Sequence, residues 1–200
     1  FQKPVNNYGG TISGGTFEEV VEMNESPDGV TIEGGTFKKG IKLNANAYRP
    51  TITDGLFDGE VFIERCRSPL FITGGLFTKA VNASSIDDPT NLQITGGYFV
   101  SKPTVPEGSV SFTSVSDQDG RTFQVPVNKG WSEGYETLYV PHGSSEQPNT
   151  ITVKTAAPLT DCLADSETIM SSVVDKGDNT YEIPVQNYET VSYTHLTLPT

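Results

Sequence analysis

Apolar residues recur at a fixed spacing along the first half of the chain. A seven-residue unit, which reads Thr-Ile-Glu-Gly-Gly-Thr-Phe at Thr31–Phe37, returns at intervals of 20, 20, 20 and then 22 residues. Counting from its isoleucine, the fifth residue is always phenylalanine, and the ninth and eleventh are apolar in the first four copies. A fixed period of this length indicates one supersecondary unit that is stacked repeatedly. The five copies are Thr11–Phe17, Thr31–Phe37, Thr51–Phe57, Phe71–Phe77 and Gln93–Phe99.

Each rung is predicted to hold a short strand through the isoleucine, a corner, and a strand through the phenylalanine and the ninth residue. The paired glycines fit the corner, because a Cβ there would obstruct the backbone or the next coil. Residues nine and eleven point inward and the residue between them points outward. Parallel stacking then buries continuous ladders of isoleucine and phenylalanine. The outward residues are Glu22, Lys42, Phe62 and Asn82.

Charges support this register. A rung with three glutamates is followed by one with lysines at the matching positions, which predicts opposite charges on neighbouring rungs. A leucine-rich repeat would require spaced leucines and an asparagine ladder, and here the asparagines give way to other residues in later copies. The charged positions are Glu18, Glu19 and Glu22 against Lys38, Lys39 and Lys42.

The pattern Ile-x-Gly-Gly-x-Phe at this period resembles the right-handed β-helix repeats of the pectin-lyase-like superfamily, in versions common on bacterial cell-surface proteins. The resemblance covers residues 1 to about 100. It implies an all-β fold, a right-handed parallel β-helix of about five rungs. That superfamily includes lyases, glycosidases, adhesins and passive stalks, so the resemblance leaves the function open.

The pattern of residues changes in the second half of the chain. Pro103 and Pro106 are expected to stop the ladder, because the columns fail after Phe99. The alternation from Val110 to Val127 about an Asp-Gln-Asp-Gly turn predicts a β-hairpin. Together these features predict a small β-rich module over residues 101–190 that caps or follows the helix. Further predicted elements are strands at Thr137–Val140, Thr150–Val153 and Tyr181–Val185 and a short helix within Asp161–Val174.

The first residue and the last ten residues of the chain lead to two further predictions. Phe1 is twenty residues before Val21, so it is assigned to that column, and the chain is expected to be a fragment that begins within a rung. The last ten residues, Val191–Thr200, resemble the translation of a sequencing adapter. They are set aside from the prediction of fold and function.

Composition narrows the classes of partner. The formal net charge is -12, from 13 basic and 25 acidic residues, which disfavours nucleic acid and anionic membrane surfaces as partners. No apolar run approaches the length of a membrane-spanning helix, so no membrane insertion is expected within this chain. Cys66 and Cys162 lie in different halves, and the sequence leaves open whether they pair.

No constellation of catalytic residues stands out. His142 is the only histidine before the last ten residues, and it has no second histidine or Cys-x-x-Cys motif beside it. Acidic residues of the third rung, such as Asp54 and Glu64, do not form an evident catalytic pair. The sequence therefore predicts no catalytic residue, no metal site and no cofactor.

Outward apolar residues supply the candidate contact sites. The column before the phenylalanines becomes apolar at Leu56, Leu76 and Tyr98, and with Phe71 it would form an exposed strip. Such a strip either packs against the second module or forms a ligand or partner groove. Phe62 is a second candidate, for stacking on a sugar face.

These observations favour a non-catalytic stalk or adhesion segment of a bacterial surface protein, extracellular or on the cell surface. Its expected partners are host or environmental glycans or a partner protein. The alternative is a fragment of a β-helix carbohydrate-active enzyme, a polysaccharide lyase or glycosidase, whose catalytic rungs lie outside this sequence.

Overall fold

The repeat folds as a parallel β-solenoid, and the second half of the chain folds as an antiparallel β module. The computed structural model describes residues 1–24, 29–44, 48–64, 68–129, 135–139, 148–165, 167–185 and 190–195. Almost every described element is a strand, and the two short 3₁₀ turns are Pro89–Asn91 and Met170–Ser172. The all-β prediction is confirmed.

Three parallel sheets form the sides of the solenoid. The first sheet stacks β1 (Val5–Asn7), β4 (Val21–Met23), β7 (Ile41–Leu43), β10 (Val61–Ile63) and β13 (Val81–Asn82). The second stacks β2 (Gly10–Ile12), β5 (Val30–Ile32), β8 (Thr51–Ile52), β11 (Leu70–Ile72) and β14 (Leu92–Ile94). The third begins with β3 (Thr16–Phe17), β6 (Thr36–Phe37), β9 (Leu56–Phe57), β12 (Leu76–Phe77) and β15 (Tyr98–Phe99).

The solenoid is slightly shorter than predicted. Each sheet has five strands, and five stacked strands are joined by four turns of the chain, as from β1 to β13 in the first sheet. The protein therefore has about four turns rather than about five rungs.

Each turn has three strands, so the prediction of one strand through the phenylalanine and the ninth residue is wrong. The chain bends between Phe37 and Ile41, and Gly40 takes φ +80° at that bend. The two inward positions are four apart in sequence, an even spacing, so a straight strand would also point both inward. The periodicity alone was therefore unable to reveal this corner.

The predicted corner at the paired glycines is confirmed. The second glycine of each pair adopts a left-handed φ, from +103° at Gly75 to +132° at Gly55. This region is disfavoured for residues that carry a Cβ. The corner separates the second sheet from the third in every turn.

The interior of the solenoid is a set of apolar columns in register. Ile32 pairs with Ile52, and Phe37 pairs with Phe57. Successive phenylalanine rings are stacked with centroids 4.5 to 4.9 Å apart. All five phenylalanines of the repeat are buried: Phe17, Phe37, Phe57, Phe77 and Phe99.

Phe1 belongs to the phenylalanine column and not to the column of Val21. Its ring stacks on Phe17 with centroids 5.0 Å apart, and Val5 is the residue that pairs with Val21. The first turn is thus four residues shorter than the next. The reason is a two-residue connection between β1 and β2, where the following turn has six residues between β4 and β5.

The predicted charge register is confirmed on two of its three pairs. Lys38 and Lys39 lie 3.0 and 2.8 Å from Glu18 and Glu19 of the preceding turn. Lys42 pairs in strand register with Glu22, but its ammonium lies 3.0 Å from the carboxylate of Glu64 on the other side.

The solenoid ends within residues 101–108, as predicted, but the expected failure of the columns after Phe99 is wrong for the first sheet, which continues for one more rung at 103–105. Thr104 forms a single parallel bridge to Asn82, with Pro103 buried and Val105 packed against the core. The third sheet then continues into the module, because β15 pairs with the antiparallel strand that contains Gln124.

The module confirms the predicted hairpin and the three further strands, apart from Val140, which lies outside the described residues. Its antiparallel strands are β16 (Ser111–Asp117), β17 (Thr122–Lys129), β18 (Tyr135–Tyr139), β19 (Thr150–Lys154), β20 (Leu159–Ala164), β21 (Glu167–Thr168), β22 (Val174–Gly177), β23 (Thr180–Pro184) and β24 (Thr190–His195). The helix predicted within Asp161–Val174 is wrong, because β20, β21 and the start of β22 occupy that stretch. The residues from Val191, set aside above, enter the fold through β24, which pairs with both β18 and β20.

The hairpin turn is organised by one buried carboxylate. Asp117 accepts hydrogen bonds from the backbone nitrogens of Asp119 and Arg121, at 3.0 and 2.8 Å, and from Arg121 Nε at 2.6 Å. Burial alone would raise the pKa of Asp117. The hydrogen bonds from Arg121 and Asp119, together with the charge of Arg121, outweigh burial and hold the pKa below its ordinary value.

This turn makes a pH-dependent contribution to stability. An unfolded aspartate titrates near pH 4, and the folded pKa of Asp117 is lower, so its ionised form stabilises the native state above about pH 4. That stability is lost as the pH falls further, through the folded pKa. We expect Asp117→Asn to lower the free energy of unfolding by about 2 kcal/mol at pH 7, and by less at pH 3. Urea titrations at both pH values measure this, with exposed Asp119→Asn as the control; an equal loss at both would contradict it.

Candidate functional site

The predicted apolar strip is divided between two environments. Leu76 and Tyr98 are 5% and 1% exposed, and they pack in the module core with residues such as Phe123 and Ile151. Leu56 is half-buried against the same core. These three residues therefore lie at the junction between solenoid and module, which was one of the two alternatives. Neither Leu76 nor Tyr98 is accessible to a ligand.

The hydroxyl of Tyr98 is a polar group buried at this junction. Its ring meets Phe123 edge to face with centroids 5.7 Å apart, and burial raises the pKa of its hydroxyl above the usual value. Among the residues that the structure describes, that hydroxyl has no hydrogen-bond partner. A buried hydroxyl without a partner opposes folding.

We expect Tyr98→Phe to leave the free energy of unfolding unchanged or to raise it by about 1 kcal/mol. Tyr98→Ala is the matched control, with an expected loss of about 4 kcal/mol from the cavity. Thermal and urea unfolding of both variants would measure the changes. A loss of about 2 kcal/mol in Tyr98→Phe would instead indicate that the hydroxyl is hydrogen-bonded.

Phe71 and Phe62 lie on different outer faces. Phe71 projects from β11 in the outer column of the second sheet, between Thr51 and Gln93, and is half-buried. Phe62 projects from β10 on the first sheet, between Lys42 and Asn82, and is also half-buried. The structure therefore does not bring the two candidate aromatic residues together.

An open hollow of about 570 Å³ surrounds Phe71 on the outer face of the second sheet. We call it the arginine hollow. Its aromatic and charged members come from β11 and from the connection between β7 and β8. Of its threonines, Thr31 and Thr51 lie on β5 and β8, and Thr53 and Thr73 directly follow β8 and β11. The residues that define it are Tyr48, Arg49, Phe71, Thr31, Thr51, Thr53 and Thr73.

Arg49 and Phe71 form the centre of the arginine hollow. The guanidinium carbon of Arg49 lies 5.7 Å from the centroid of the Phe71 ring, a cation–π distance. Tyr48, next to it, leaves 50% of its surface exposed. Two aromatic rings and a guanidinium thus share one open surface.

Three of the four threonines around this centre have their hydroxyl protons engaged. Thr53 donates to the carbonyl of Ile32 at 3.2 Å, and Thr51 donates to the carbonyl of Arg49 at 3.2 Å. Thr73 repeats the pattern of Thr53 one turn later. Since a hydroxyl has one proton and two lone pairs, these oxygens are left as acceptors. The hollow therefore offers acceptors at the threonines and donors at Arg49.

All changes in repeat length fall in the connections between the first and second sheets. The spacing along the first sheet is 16 residues from Val5 to Val21, 20 in the next turns, and the additional two residues of the last turn lie between β13 and β14. Insertions in solenoids commonly map to loops on a binding face. Tyr48 and Arg49 belong to one of these connections, at the margin of the second sheet.

The sequence identified Phe71 but missed Tyr48, Arg49 and the threonines. Tyr48 and Arg49 lie outside the seven-residue unit, and only the three-dimensional path brings Arg49 over a side chain 22 positions later. The usable signal was the outward column of the second sheet, in which Thr11, Thr31 and Thr51 precede Phe71.

The remaining candidate residues are the cysteines, His142 and residues that could bind a metal. Cys66 and His142 lie outside the described residues, so pairing of Cys66 with Cys162 stays open. Burial, and then the charge of Asp161, raise the pKa of the Cys162 thiol to about 12. Within the described ranges, no three His, Cys, Asp or Glu side chains meet as a metal site. No helix in the described part is long and apolar enough to span a membrane.

Comparisons with protein families, with curated proteins and with solved structures find no match to this chain.

Proposed function

We propose that this protein is a non-catalytic stalk or adhesion segment of a cell-surface protein, which binds glycans through the arginine hollow. The proposal includes an extracellular location, a bacterial source and kinship with right-handed β-helices of the pectin-lyase-like superfamily. The repeat Ile-x-Gly-Gly-x-Phe supports that kinship. The observation that carries the function is the cluster of Tyr48, Arg49 and Phe71 on an open face.

The chemistry of the arginine hollow suits a sugar. Pyranose rings have an apolar face of C–H groups that packs on aromatic rings, and Phe71 and Tyr48 provide such rings. Their hydroxyls need hydrogen-bond acceptors and donors at the edge. Thr51, Thr53 and Thr73 supply acceptors, and Arg49 supplies donors.

The solenoid suits the presentation of such a site. The hollow is assembled from three successive turns, through Thr31, Thr51 and Phe71, which pair in one parallel ladder. Every turn rests on the stacked phenylalanine column, so the spacing between hollow residues is set by the interior. A preorganised surface loses less entropy when it binds a ligand than a surface made by mobile loops.

The test is a glycan microarray probed with wild-type protein, followed by titration calorimetry on the best ligand. We expect binding, and we expect Phe71→Ala to weaken it about tenfold through loss of ring contact. Phe62→Ala is the matched control, an outward half-buried aromatic residue on another sheet, and its affinity should equal wild type. Absence of glycan binding would contradict the proposal. Release of cleaved oligosaccharides would favour the alternative, a carbohydrate-active enzyme.

A further inference from the structure

Arg49 is held in an unusual backbone conformation at the edge of the hollow. Its φ is +40°, in the left-handed region that residues with a Cβ rarely adopt, and it precedes Pro50, which restricts it further. Two contacts hold it there. Its backbone nitrogen donates to Ser68 Oγ at 2.7 Å, and its carbonyl accepts from Thr51 Oγ1. Strained residues that the surrounding structure fixes in this way often occur at binding sites.

Arg49 is one of four basic side chains in the described ranges, with Lys3, Lys79 and Lys102, that make no ion pair. Within the described part of the chain, the Arg49 guanidinium contacts the face of the Phe71 ring and no carboxylate. By contrast, six basic side chains each contact a carboxylate: Lys38, Lys39, Lys42, Arg121, Lys154 and Lys176.

We propose that the arginine hollow selects sugars that carry a carboxylate or a sulfate, with Arg49 as the anion contact. This inference rests on the proposed function and specifies its ligand. A guanidinium that lies over a ring keeps its N–H edge available, and that fork matches the paired oxygens of a carboxylate or sulfate. A neutral sugar would need the rings and the threonines but would not need a guanidinium without an ion-pair partner.

The negative net charge is compatible with a local anion contact at Arg49 but disfavours binding of an extended polyanion. At -12 the protein repels anions at long range, but at physiological salt that field is screened beyond about 8 Å. The guanidinium contact acts within hydrogen-bond distance and is screened much less. The hollow should therefore bind a single acidic sugar unit locally, whereas polyanions such as nucleic acids would lack the extended basic face that they require.

The experiment compares acidic oligosaccharides with their neutral parents at 0.15 M salt, roughly the ionic strength at which the net charge is screened. The probes are lactose, 3′-sialyllactose and 3′-sulfolactose, together with array-derived acidic ligands and their uncharged parents. We expect each bound acidic ligand to exceed its parent by about tenfold in affinity. The sialyl and sulfo arms distinguish carboxylate from sulfate as the source of the charge.

Variants assign that difference to the guanidinium. Arg49→Asn removes the charge but tolerates the left-handed φ, and it should bring acidic and neutral ligands to equal affinity. Phe62→Ala is the control, and thermal melts confirm that both variants fold. Equal binding of acidic and neutral ligands by wild type overturns this inference and leaves the proposed function standing. Acid preference that survives in Arg49→Asn overturns the role of Arg49. If no glycan binds at all, the proposed function fails as well.

Discussion

Phe57→Ala should lower the free energy of unfolding by about 4 kcal/mol, because it opens a cavity in the centre of the phenylalanine stack. Phe57 is fully buried, and its ring lies 4.9 Å from Phe37 and 4.6 Å from Phe77. The substitution removes two stacking contacts in addition to the buried surface. Because each turn contacts only its neighbours, the loss cannot be spread over the whole solenoid.

The measurement is urea unfolding of wild type and two variants, followed by circular dichroism. Phe57→Leu keeps most of the apolar volume and should lose less than half as much as the alanine variant. Phe62→Ala removes an outward, half-buried ring and should cost about 1 kcal/mol. A loss below about 1 kcal/mol for Phe57→Ala would show that the column does not support the fold.

Gly59→Ala should destabilise the protein by about 3 kcal/mol, because the added methyl group overpacks a corner made of backbone. Its Cβ would overlap the backbone of Lys39 and Gly40 in the preceding turn, and backbone atoms cannot rotate away. Gly59 does not adopt a left-handed φ, so the effect is steric and not conformational. The corner would have to widen, and neighbouring turns would separate.

Gly14→Ala provides the matched control for this prediction. Gly14 also lacks a left-handed φ, but nothing lies within 4 Å of the position that its Cβ would take. Alanine there should change the free energy of unfolding by less than about 0.5 kcal/mol. Equal effects of the two substitutions in the same urea titration would contradict the close approach of turns at Gly59.

The sequence was sufficient to predict the solenoid because its interior repeats. Ile32, Phe37, Ile41 and Leu43 are each replaced by an apolar residue twenty positions later, and a stack of identical columns is the simplest structure that buries them. The glycine corner followed from the same repetition. The strands of the repeat were predictable because the same pattern of residues recurs in five copies.

The third strand of each turn was harder to predict from the sequence. Residues at both sides of the bend near Gly40 point inward, so hydrophobic periodicity is unchanged across it. The clue lay in Gly40 and Gly59, where a side chain would meet the adjacent turn. The same limit explains the misassigned Phe1, since a shorter first connection shifts the column without altering the residue types.

The helix predicted within Asp161–Val174 failed for a different reason. Leu163, Met170 and Val174 match helical spacing, but three positions are weak evidence, and tertiary pairing decides the structure of such a stretch. Here β20 pairs with β24, and Cys162 and Ala164 are the buried residues. A single sequence does not reveal this long-range pairing.

The candidate site was predictable only in part. Phe71 was visible as an apolar residue at an outward position, whereas Leu76 and Tyr98 at similar positions are covered by the module. The sequence could not decide which outward residues the second module would cover. Arg49 was invisible because its role depends on a backbone conformation and on a ring in the next turn.

Glycan binding at the arginine hollow can be located by an NMR titration of the protein with a glycan that it binds, read at assigned aromatic and backbone signals. We expect shifts to concentrate at Tyr48, Arg49 and Phe71, while Phe62 on the first sheet stays unchanged. Shifts centred on Phe62, or at positions distant from the second sheet, would contradict the assignment of the arginine hollow as the glycan-binding site.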